Sequence, residues 1–219
     1  MYINLLTANS DFIFQSTDYL NKLTECFSKD LLGQIHQLAI ELKEAWSSGK
    51  QVFICGNGGS AANAIHMAND LHYGTGACGP EPKVLGLRVE ALNANSAVIT
   101  CLANDTGYEN IYSQQLKVKG NTGDILIALS GSGNSKNIVL ALEQAKAMGI
   151  SSHAIVGFDG GRSKDIAENV IHFKINDMQI AEDTQLIIGH MCMQWLTCNK
   201  PTNPNSSINA RVRLHECAS

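Results

Sequence analysis

The sequence predicts an α/β fold: a doubly wound, mainly parallel five-stranded sheet flanked by helices, with extra helices ahead of it. Short continuous apolar runs, typical of strands buried on both faces of a parallel sheet, alternate along the chain with longer segments of helical periodicity. Such alternation is typical of doubly wound sheets. A length of 219 residues and a hydrophobic fraction of 44% fit one domain with a substantial core.

The chain starts with a helical pattern over residues 11–48. Apolar residues recur there at steps of three and four, and Ser47, Ser48 and Gly49 end the pattern. The first predicted strand follows at 51–56, so two helices precede it and are surplus to the sheet. These helices either mediate oligomerisation or form a helical layer over one sheet face.

The remaining elements alternate up to residue 198. Further strands are predicted at 83–89, 124–130, 152–158 and 169–175. Helices are predicted at 60–72, 94–103, 108–117, 135–148 and 179–198. We therefore expect a single domain over 1–198 and a polar, Pro/Asn-rich, loosely ordered tail over 199–219.

The composition argues against several classes of partner. A net charge of −4 and only four arginines leave no clustered basic face for a nucleic acid. No segment approaches the roughly 18 apolar residues of a membrane span. The seven cysteines include no close C-x-x-C pair, and the N-terminus does not have the pattern of a signal peptide. We therefore expect a cytoplasmic protein that binds neither nucleic acid nor membrane.

Two strand-to-helix turns carry glycine and hydroxyl groups. The first is "CGNGGSAAN" at 55–63 and the second is "LSGSGNSKN" at 129–137. Glycines let the backbone approach a ligand, and a helix N-terminus offers free N–H groups and a positive dipole end. Each turn alone is equally consistent with ordinary turn and capping chemistry. Together, at the carboxyl ends of two strands, they favour a phosphate site built from neutral donors.

Two helices each carry a histidine and a carboxylate on one face. His66 and Asp70 are four residues apart, and Glu182 and His190 are eight apart. Such a set can hold a divalent metal such as zinc or act as general acid and base. The alternatives are a local hydrogen bond and an ordinary acidic helix start. Of the other histidines, His72 is ambiguous, and a surface or sheet-edge position is expected for 36, 153, 172 and 215.

Four sequence blocks, taken together and in this order, resemble a known family. They are "CGNGGSAANAIHMANDL", "CLANDTGYENIYSQQL", "GDILIALSGSGNSKNIVLAL" and "FDGG". The chain resembles the sugar isomerase (SIS) fold over about residues 15–198, and most closely its phosphoheptose isomerase branch. The resemblance implies aldose–ketose isomerisation of sedoheptulose 7-phosphate to D-glycero-D-manno-heptose 7-phosphate. It also implies a homotetramer with central N-terminal helices, active sites at subunit interfaces and, in some members, a bound zinc ion.

The resemblance also assigns roles to individual residues. Substrate contacts fall on Asn57, Gly58, Gly59, Ser60, Asn104, Asp105 and Glu182, and the phosphate loop comprises Ser130, Gly131, Ser132 and Ser135. The metal and acid–base positions are His66, Asp70, Glu182 and His190. In this hypothesis Asp70 is the base, His190 is the acid, and the metal bridges them.

Some positions depart from the family pattern. Asp70 stands where the family's base is usually glutamate, Glu182 where it has glutamine, and Gly131 where it has a hydroxyl residue. Gln179 replaces an acidic residue. The alternative function is a non-catalytic tetrameric SIS protein that binds a partner protein or senses a sugar phosphate. The presence of both Asp70 and His190 favours the enzyme.

Overall fold

The computed structural model describes residues 11–75 and 85–201. The first helices and strands are α1 (Phe12–Glu25), α2 (Lys29–Ser48), β1 (Gln51–Cys55), α3 (Gly59–Asn69), β2 (Arg88–Ala91), α4 (Ser96–Thr106) and α5 (Ser113–Lys119). They are followed by β3 (Ile125–Ser130), α6 (Lys136–Met148), β4 (Ser151–Val156), α7 (Gly161–Ile166), β5 (Asn169–His172) and α8 (Met178–Cys198). A π-helical turn extends α3 over Asp70–Gly74, and a 3-10 turn spans Tyr108–Asn110.

The five strands form one sheet in the order β2-β1-β3-β4-β5, and all four strand pairs are parallel. This confirms the predicted doubly wound sheet. The chain moves from β1 outward to β2 and then returns to place β3 on the other side of β1. The strand order therefore reverses between β1 and β3, and such a reversal opens a crevice at the carboxyl ends of the two strands.

Two helical layers cover the sheet. Val52 and Ile54 point into a core shared with α2, α3 and α8. Phe53 and Cys55, which alternate with them, point into a second core shared with α5 and α6. This alternation follows the period of a strand, and coverage of both faces explains why the central strands are continuously apolar.

The predicted strand at 83–89 is wrong in its position, because β2 begins only at Arg88. Residues 83 and 84 lie outside the described residues. Residues 85–87 run along the π-helical turn instead, where Leu87 N donates to the Leu71 carbonyl at 3.0 Å. Gly86 lies so close to the His72 carbonyl that a Cβ there would clash.

The two helices predicted before the first strand are α1 and α2, and the Ser28 side chain caps the start of α2. Two other local predictions change. The predicted helix at 108–117 is a 3-10 turn followed by α5. The short helix α7 was not predicted, because its six residues begin with the second glycine of a glycine pair and carry no apolar repeat. Most of the predicted tail, from 202 to 219, lies outside the described residues.

The amino end of the sheet is joined to α2 by a hydrogen-bonded histidine–glutamate pair. His153 Nε2 lies 2.7 Å from a Glu41 carboxylate oxygen, and His153 is only 1% exposed. The prediction of a surface or sheet-edge position for His153 is therefore wrong. The hydrogen bond from His153 lowers the pKa of Glu41 to about 2, and hydrogen bonds from Gln37 and Ser151 act in the same direction.

Within 11–75 and 85–201, no helix has both the length and the apolar composition needed to span a membrane.

Candidate active site

A small cavity of about 250 Å³ lies at the carboxyl ends of β1 and β3, where the strand order reverses. The two glycine- and serine-rich turns form its walls, and the first turn of α8 closes it. Its lining residues are Asn57, Gly58, Ser60, Leu129, Ser130, Gly131, Ser132, Ser135, Met178 and Glu182. The sequence analysis predicts all of them except Leu129 and Met178.

The first turn leads from β1 into α3 through Gly58, whose φ of +55° favours glycine. No side chain caps the N-terminus of α3. The Glu182 carboxylate lies over this first turn, because a Cβ on Gly59 would overlap its carboxylate atoms. The positive end of the α3 dipole stabilises the Glu182 charge there. Glycine at 59 therefore makes room for Glu182 at the edge of the small cavity.

The second turn offers hydroxyl and amide donors from a compact loop. Ser130 Oγ accepts a hydrogen bond from Gly133 N at 3.0 Å, and Ser132 Oγ accepts one from Asn134 N at 3.3 Å. Ser135 occupies the N-cap of α6, but its side chain caps no helix N–H. Ser130, Ser132 and Ser135 all line the cavity, so their hydroxyl groups are an arrangement suited to a phosphate group.

A polar network that the sequence analysis missed joins the two turns. The side-chain amides of Asn57 and Asn137 exchange hydrogen bonds of 2.9 and 2.8 Å. The Tyr108 hydroxyl donates to the same Asn57 oxygen at 2.9 Å. Asn137 is only 2% exposed on an otherwise apolar helix face. That buried amide is the signal that could have identified it, and the network fixes how Asn57 faces the cavity.

Met178, also missed, explains why residue 131 is glycine. A Cβ on Gly131 would lie 2.5 Å from the Met178 sulfur and 3.0 Å from its methyl carbon. The thioether therefore occupies the volume that a side chain at 131 would need. One wall of the small cavity is apolar as a result.

His66, Asp70 and His190 converge into one cluster. The two histidine Nε2 atoms are 3.0 Å apart, and Asp70 Oδ2 lies 3.3 Å from His66 Nε2 and 3.5 Å from His190 Nε2. The side chains are 50%, 17% and 41% exposed in the order His66, Asp70, His190. We name this the His/Asp cluster. Among the described residues it is the group whose ligand atoms could hold a metal ion.

Close packing of α8 on α3 assembles the His/Asp cluster. Gly189 lies against Met67, and a Cβ there would come 2.6 Å from a Met67 side-chain carbon. Asn63 Nδ2 ties the same helices together by donating to the Glu182 carbonyl at 2.8 Å. Asp70 begins the π-helical turn, a feature often found at functional sites. Helix proximity thus brings His190 to His66.

Some predicted site residues lie elsewhere in the described chain. Asn104 and Asp105 are exposed on the last turn of α4, where Asn104 Nδ2 donates to Asp105 Oδ1 at 2.7 Å. They do not line the small cavity as it is described. The Glu182 carboxylate lies at Gly59 and is not one of the residues grouped in the His/Asp cluster. The substrate and metal roles of these residues stay predictions.

Known proteins resemble this chain in sequence and in fold. The SIS domain family matches residues 15–157. The phosphoheptose isomerase of Akkermansia muciniphila is 36% identical over 161 residues, which are 74% of this chain and 82% of that protein. The phosphoheptose isomerase of Helicobacter pylori strain P12 is 36% identical over 172 residues, with coverages of 78% and 85%.

Two solved structures share the fold. The phosphoheptose isomerase of Neisseria gonorrhoeae has a TM-score of 0.76 and 24% identity, covering 84% of this chain and 95% of that one. The enzyme of Francisella tularensis has a TM-score of 0.76 and 22% identity, with coverages of 86% and 99%. The family match and the relatives above 30% identity confirm the resemblance seen in the motifs. The chain belongs to the SIS domain family and, within it, to the phosphoheptose isomerases.

Proposed function

We propose that the protein interconverts sedoheptulose 7-phosphate and D-glycero-D-manno-heptose 7-phosphate. One observation carries the proposal: α3 and α8 both start at the small cavity and both lead to the His/Asp cluster. A phosphate-type site and an acid–base cluster therefore lie along one helix pair. The names of the relatives support the same substrate.

The spacing of these two sites fits a seven-carbon substrate. His66 follows Gly59 by seven residues and His190 follows Glu182 by eight, which is about 10–12 Å along a helix axis. An extended heptose phosphate spans on the order of 10 Å from C1 to phosphorus. A sugar whose phosphate group lies at Ser130, Ser132 and Ser135 therefore reaches the His/Asp cluster with its C1 and C2 atoms.

The side chains of the cluster match the proton transfers of the reaction. Asp70 Oδ2 takes the proton from C1 of the ketose and returns it to C2, which converts the C2 carbonyl into a C1 carbonyl. His190 Nε2 gives a proton to the C2 oxygen and takes the proton of the C1 hydroxyl as the aldehyde forms, so that it ends the reaction in its starting state. Because Asp70 Oδ2 and His190 Nε2 are 3.5 Å apart, both reach adjacent atoms of one substrate.

We also propose that the cluster binds a zinc ion through His66 Nε2, Asp70 Oδ2 and His190 Nε2, in place of a proton. With zinc bound, Asp70 would act as base through its other carboxylate oxygen, Oδ1, and the ion would replace His190 in neutralising charge on the C2 oxygen. A tetrahedral zinc ion with bonds of about 2.0–2.1 Å holds its ligand atoms about 3.3 Å apart. The three separations here, 3.0, 3.3 and 3.5 Å, fit that geometry. Bound zinc would polarise the substrate carbonyl and stabilise developing negative charge on its oxygens. Glu182 stays a predicted fourth ligand, but its carboxylate lies at Gly59 in the small cavity and outside the His/Asp cluster, a position that supports contact with sugar hydroxyls.

The test is turnover of sedoheptulose 7-phosphate by the purified protein, before and after chelation, with zinc content measured alongside. We expect turnover that falls on chelation and returns with zinc. Asp70→Asn should remove it, whereas Asp165→Asn, an exposed carboxylate on α7, is the matched control and should not. A folded, zinc-loaded protein without turnover would contradict the isomerase and favour the partner-binding or sensor alternative.

We further propose a homotetramer that assembles through α1 and works in the cytoplasm. No residue of α1 is buried, and Phe12, Ile13, Phe14 and Leu20 are between 61% and 76% exposed. Exposed apolar side chains in such a group indicate an interaction surface. All five cysteines in the described part of the chain are free, which suits a reducing compartment. Light scattering of Phe12→Ser/Phe14→Ser should show smaller particles than wild type, and an unchanged mass would contradict this interface.

A further inference from the structure

A second, wider cavity adjoins the small one. It has a volume of about 750 Å³ and lies beyond the carboxyl ends of β4 and β5. Its lining residues are Ser132, Asn134, Phe158, Asp159, Lys164, His172, Lys174, Ile175 and Asn176. We name it the outer cavity. Ser132 lines both cavities, so the two meet at the phosphate loop.

Phe158 lines the outer cavity and lies next to Gly131, which lines the small one. A ring carbon of Phe158 lies 3.6 Å from the position of a Cβ on Gly131. Its φ is +46°, the one positive value at a non-glycine residue in the described ranges. Two hydrogen bonds hold this strained backbone, because Phe158 N donates to the Ile175 carbonyl at 2.9 Å and His172 Nε2 donates to the Phe158 carbonyl at 3.0 Å. Strain held in this way clusters at functional sites.

The outer cavity carries cationic groups that the small cavity lacks. Lys164 and Lys174 line it, and neither has an ion-pair partner among residues 11–75 and 85–201. Asp159 is the one carboxylate in this lining. The nearby Arg162 is already paired with Glu143 at 3.3 Å. The two lysines therefore line the cavity with positive charges that no described carboxylate neutralises.

The small cavity, in contrast, has no cationic side chain among its described lining residues to attract an anion. Its described lining contains no lysine or arginine and includes the Glu182 carboxylate. The whole chain has a net charge of −4. A phosphate dianion is well bound once it reaches the hydroxyl and amide donors, but no charge in that lining attracts it there.

We propose that the outer cavity is the entry site for the phosphate group of the substrate. Lys164 and Lys174 attract the dianion of a phosphate monoester and bring it to Ser132, from which it moves into the small cavity. This inference rests on the proposed function and deepens it. The lysines of the outer cavity first attract the phosphate group, and the uncharged donors of the small cavity then bind it. Charges placed at the mouth of a site raise the association rate and lose this effect as salt screens them.

The test measures the association rate constant of sedoheptulose 7-phosphate from phosphorus NMR line shapes. Lys164→Gln/Lys174→Gln is compared with Lys117→Gln/Lys146→Gln, which removes the same charge from exposed sites on α5 and α6. At low salt we expect association to slow by about 3- to 10-fold in the first variant only, with the dissociation rate unchanged. At about 0.5 M salt the difference from wild type should disappear.

Two results would overturn the entry site. One is equal slowing in both double variants, which would make the effect one of net charge. The other is faster dissociation with unchanged association, which would make the lysines part of the final binding site. Inorganic phosphate is the second probe, and turnover is measured separately. If the wild-type protein shows no turnover, the isomerase activity is contradicted, whereas the role of the lysines is still decided by the association rates.

Discussion

Two groups of histidine and carboxylate side chains use the same residue types for different purposes. Between α2 and β4, Glu41 and His153 pair at 2.7 Å, with side chains 19% and 1% exposed. Between α3 and α8, His66 and His190 are 50% and 41% exposed, and Asp70 is 17% exposed. Both groups join a helix to its neighbours, yet only the second is open to a ligand.

The two groups differ in how much of the hydrogen-bonding capacity of the carboxylate is already occupied by protein partners. Glu41 accepts hydrogen bonds from His153, Gln37 and Ser151, so little of its capacity is left for a further partner. In the His/Asp cluster, three ligand atoms point toward one another and toward solvent. Such convergence is favourable only with a shared proton or a cation between the atoms. A largely buried carboxylate whose hydrogen bonds are all made within the protein therefore indicates a structural pair. Exposed ligand atoms that point toward one another indicate a site for chemistry.

The largest expected effect comes from His190→Asn. This change removes the proposed acid, so kcat/KM for sedoheptulose 7-phosphate should fall by roughly 10²- to 10⁴-fold. The free energy of unfolding should change little, because the His190 side chain is exposed. Steady-state kinetics and denaturant unfolding measure the two effects. His36→Asn, an exposed histidine on α2, is the control, and equal losses in both variants would erase the contrast between the two regions.

Glu41→Gln should show the opposite pattern. Loss of the charged hydrogen bond to His153 should lower the free energy of unfolding by about 2 kcal/mol at pH 7, with turnover per folded molecule unchanged. The control, Glu44→Gln, is exposed on the same helix and should have little effect. A loss of turnover without a loss of stability would place Glu41 in the chemistry.

The pH dependence of stability sharpens the same prediction. Because the pKa of Glu41 is lowered to about 2, its stabilising effect is present above the unfolded value and is lost as the pH falls toward 2. Between about pH 5 and pH 2, wild type should lose more stability than Glu41→Gln. Denaturant unfolding at several pH values tests this, and parallel curves for the two proteins would contradict it.

Asn137→Ala should have an intermediate effect at the small cavity. It frees the Asn57 amide from its reciprocal bonds, so Asn57 no longer holds one orientation in the small cavity. We expect kcat/KM to fall by about 10-fold through misplacement of the substrate. Tyr108→Phe removes one hydrogen bond to the same oxygen and should cost less. A larger loss in Tyr108→Phe than in Asn137→Ala would contradict this order.

The smallest effect is expected at an exposed ion pair. Arg162 and Glu143 lie 3.3 Å apart with side chains 65% and 44% exposed. Arg162→Gln should change the free energy of unfolding by less than about 0.5 kcal/mol. A loss as large as that of Glu41→Gln, measured in the same denaturant series, would show that burial does not separate the two pairs.

The sequence predicts the central strands because local pattern and tertiary role agree there. β1, β3 and β4 are buried on both faces, so their apolar runs are continuous. β2 is a four-residue edge strand that reads RVEA and is largely exposed or half-buried, so it has no continuous apolar run to mark its position. A sheet edge needs little apolar surface, and its place is set by the strand beside it.

In the site, as in the sheet, the sequence predicts what a local pattern determines. The spacing within one helix predicts that His66 and Asp70 share a face. The meeting of the two helices depends on Gly189 against Met67, a contact that no local pattern shows. Asn137 and Tyr108 escaped prediction because they reach Asn57 from 80 and 51 residues away in sequence. Functional residues that lie on one helix can be predicted from their spacing in the sequence. Contacts between residues of different helices and strands can be identified only from the folded structure.

The most direct test compares turnover of sedoheptulose 7-phosphate per folded molecule in Asp70→Asn and Glu41→Gln. Each variant removes one carboxylate charge, one from the His/Asp cluster and one from the histidine–glutamate pair. We expect Asp70→Asn to lose turnover by at least about 100-fold while Glu41→Gln keeps the wild-type rate. Turnover retained in Asp70→Asn, or lost equally in both variants, would contradict the placement of the chemistry in the His/Asp cluster.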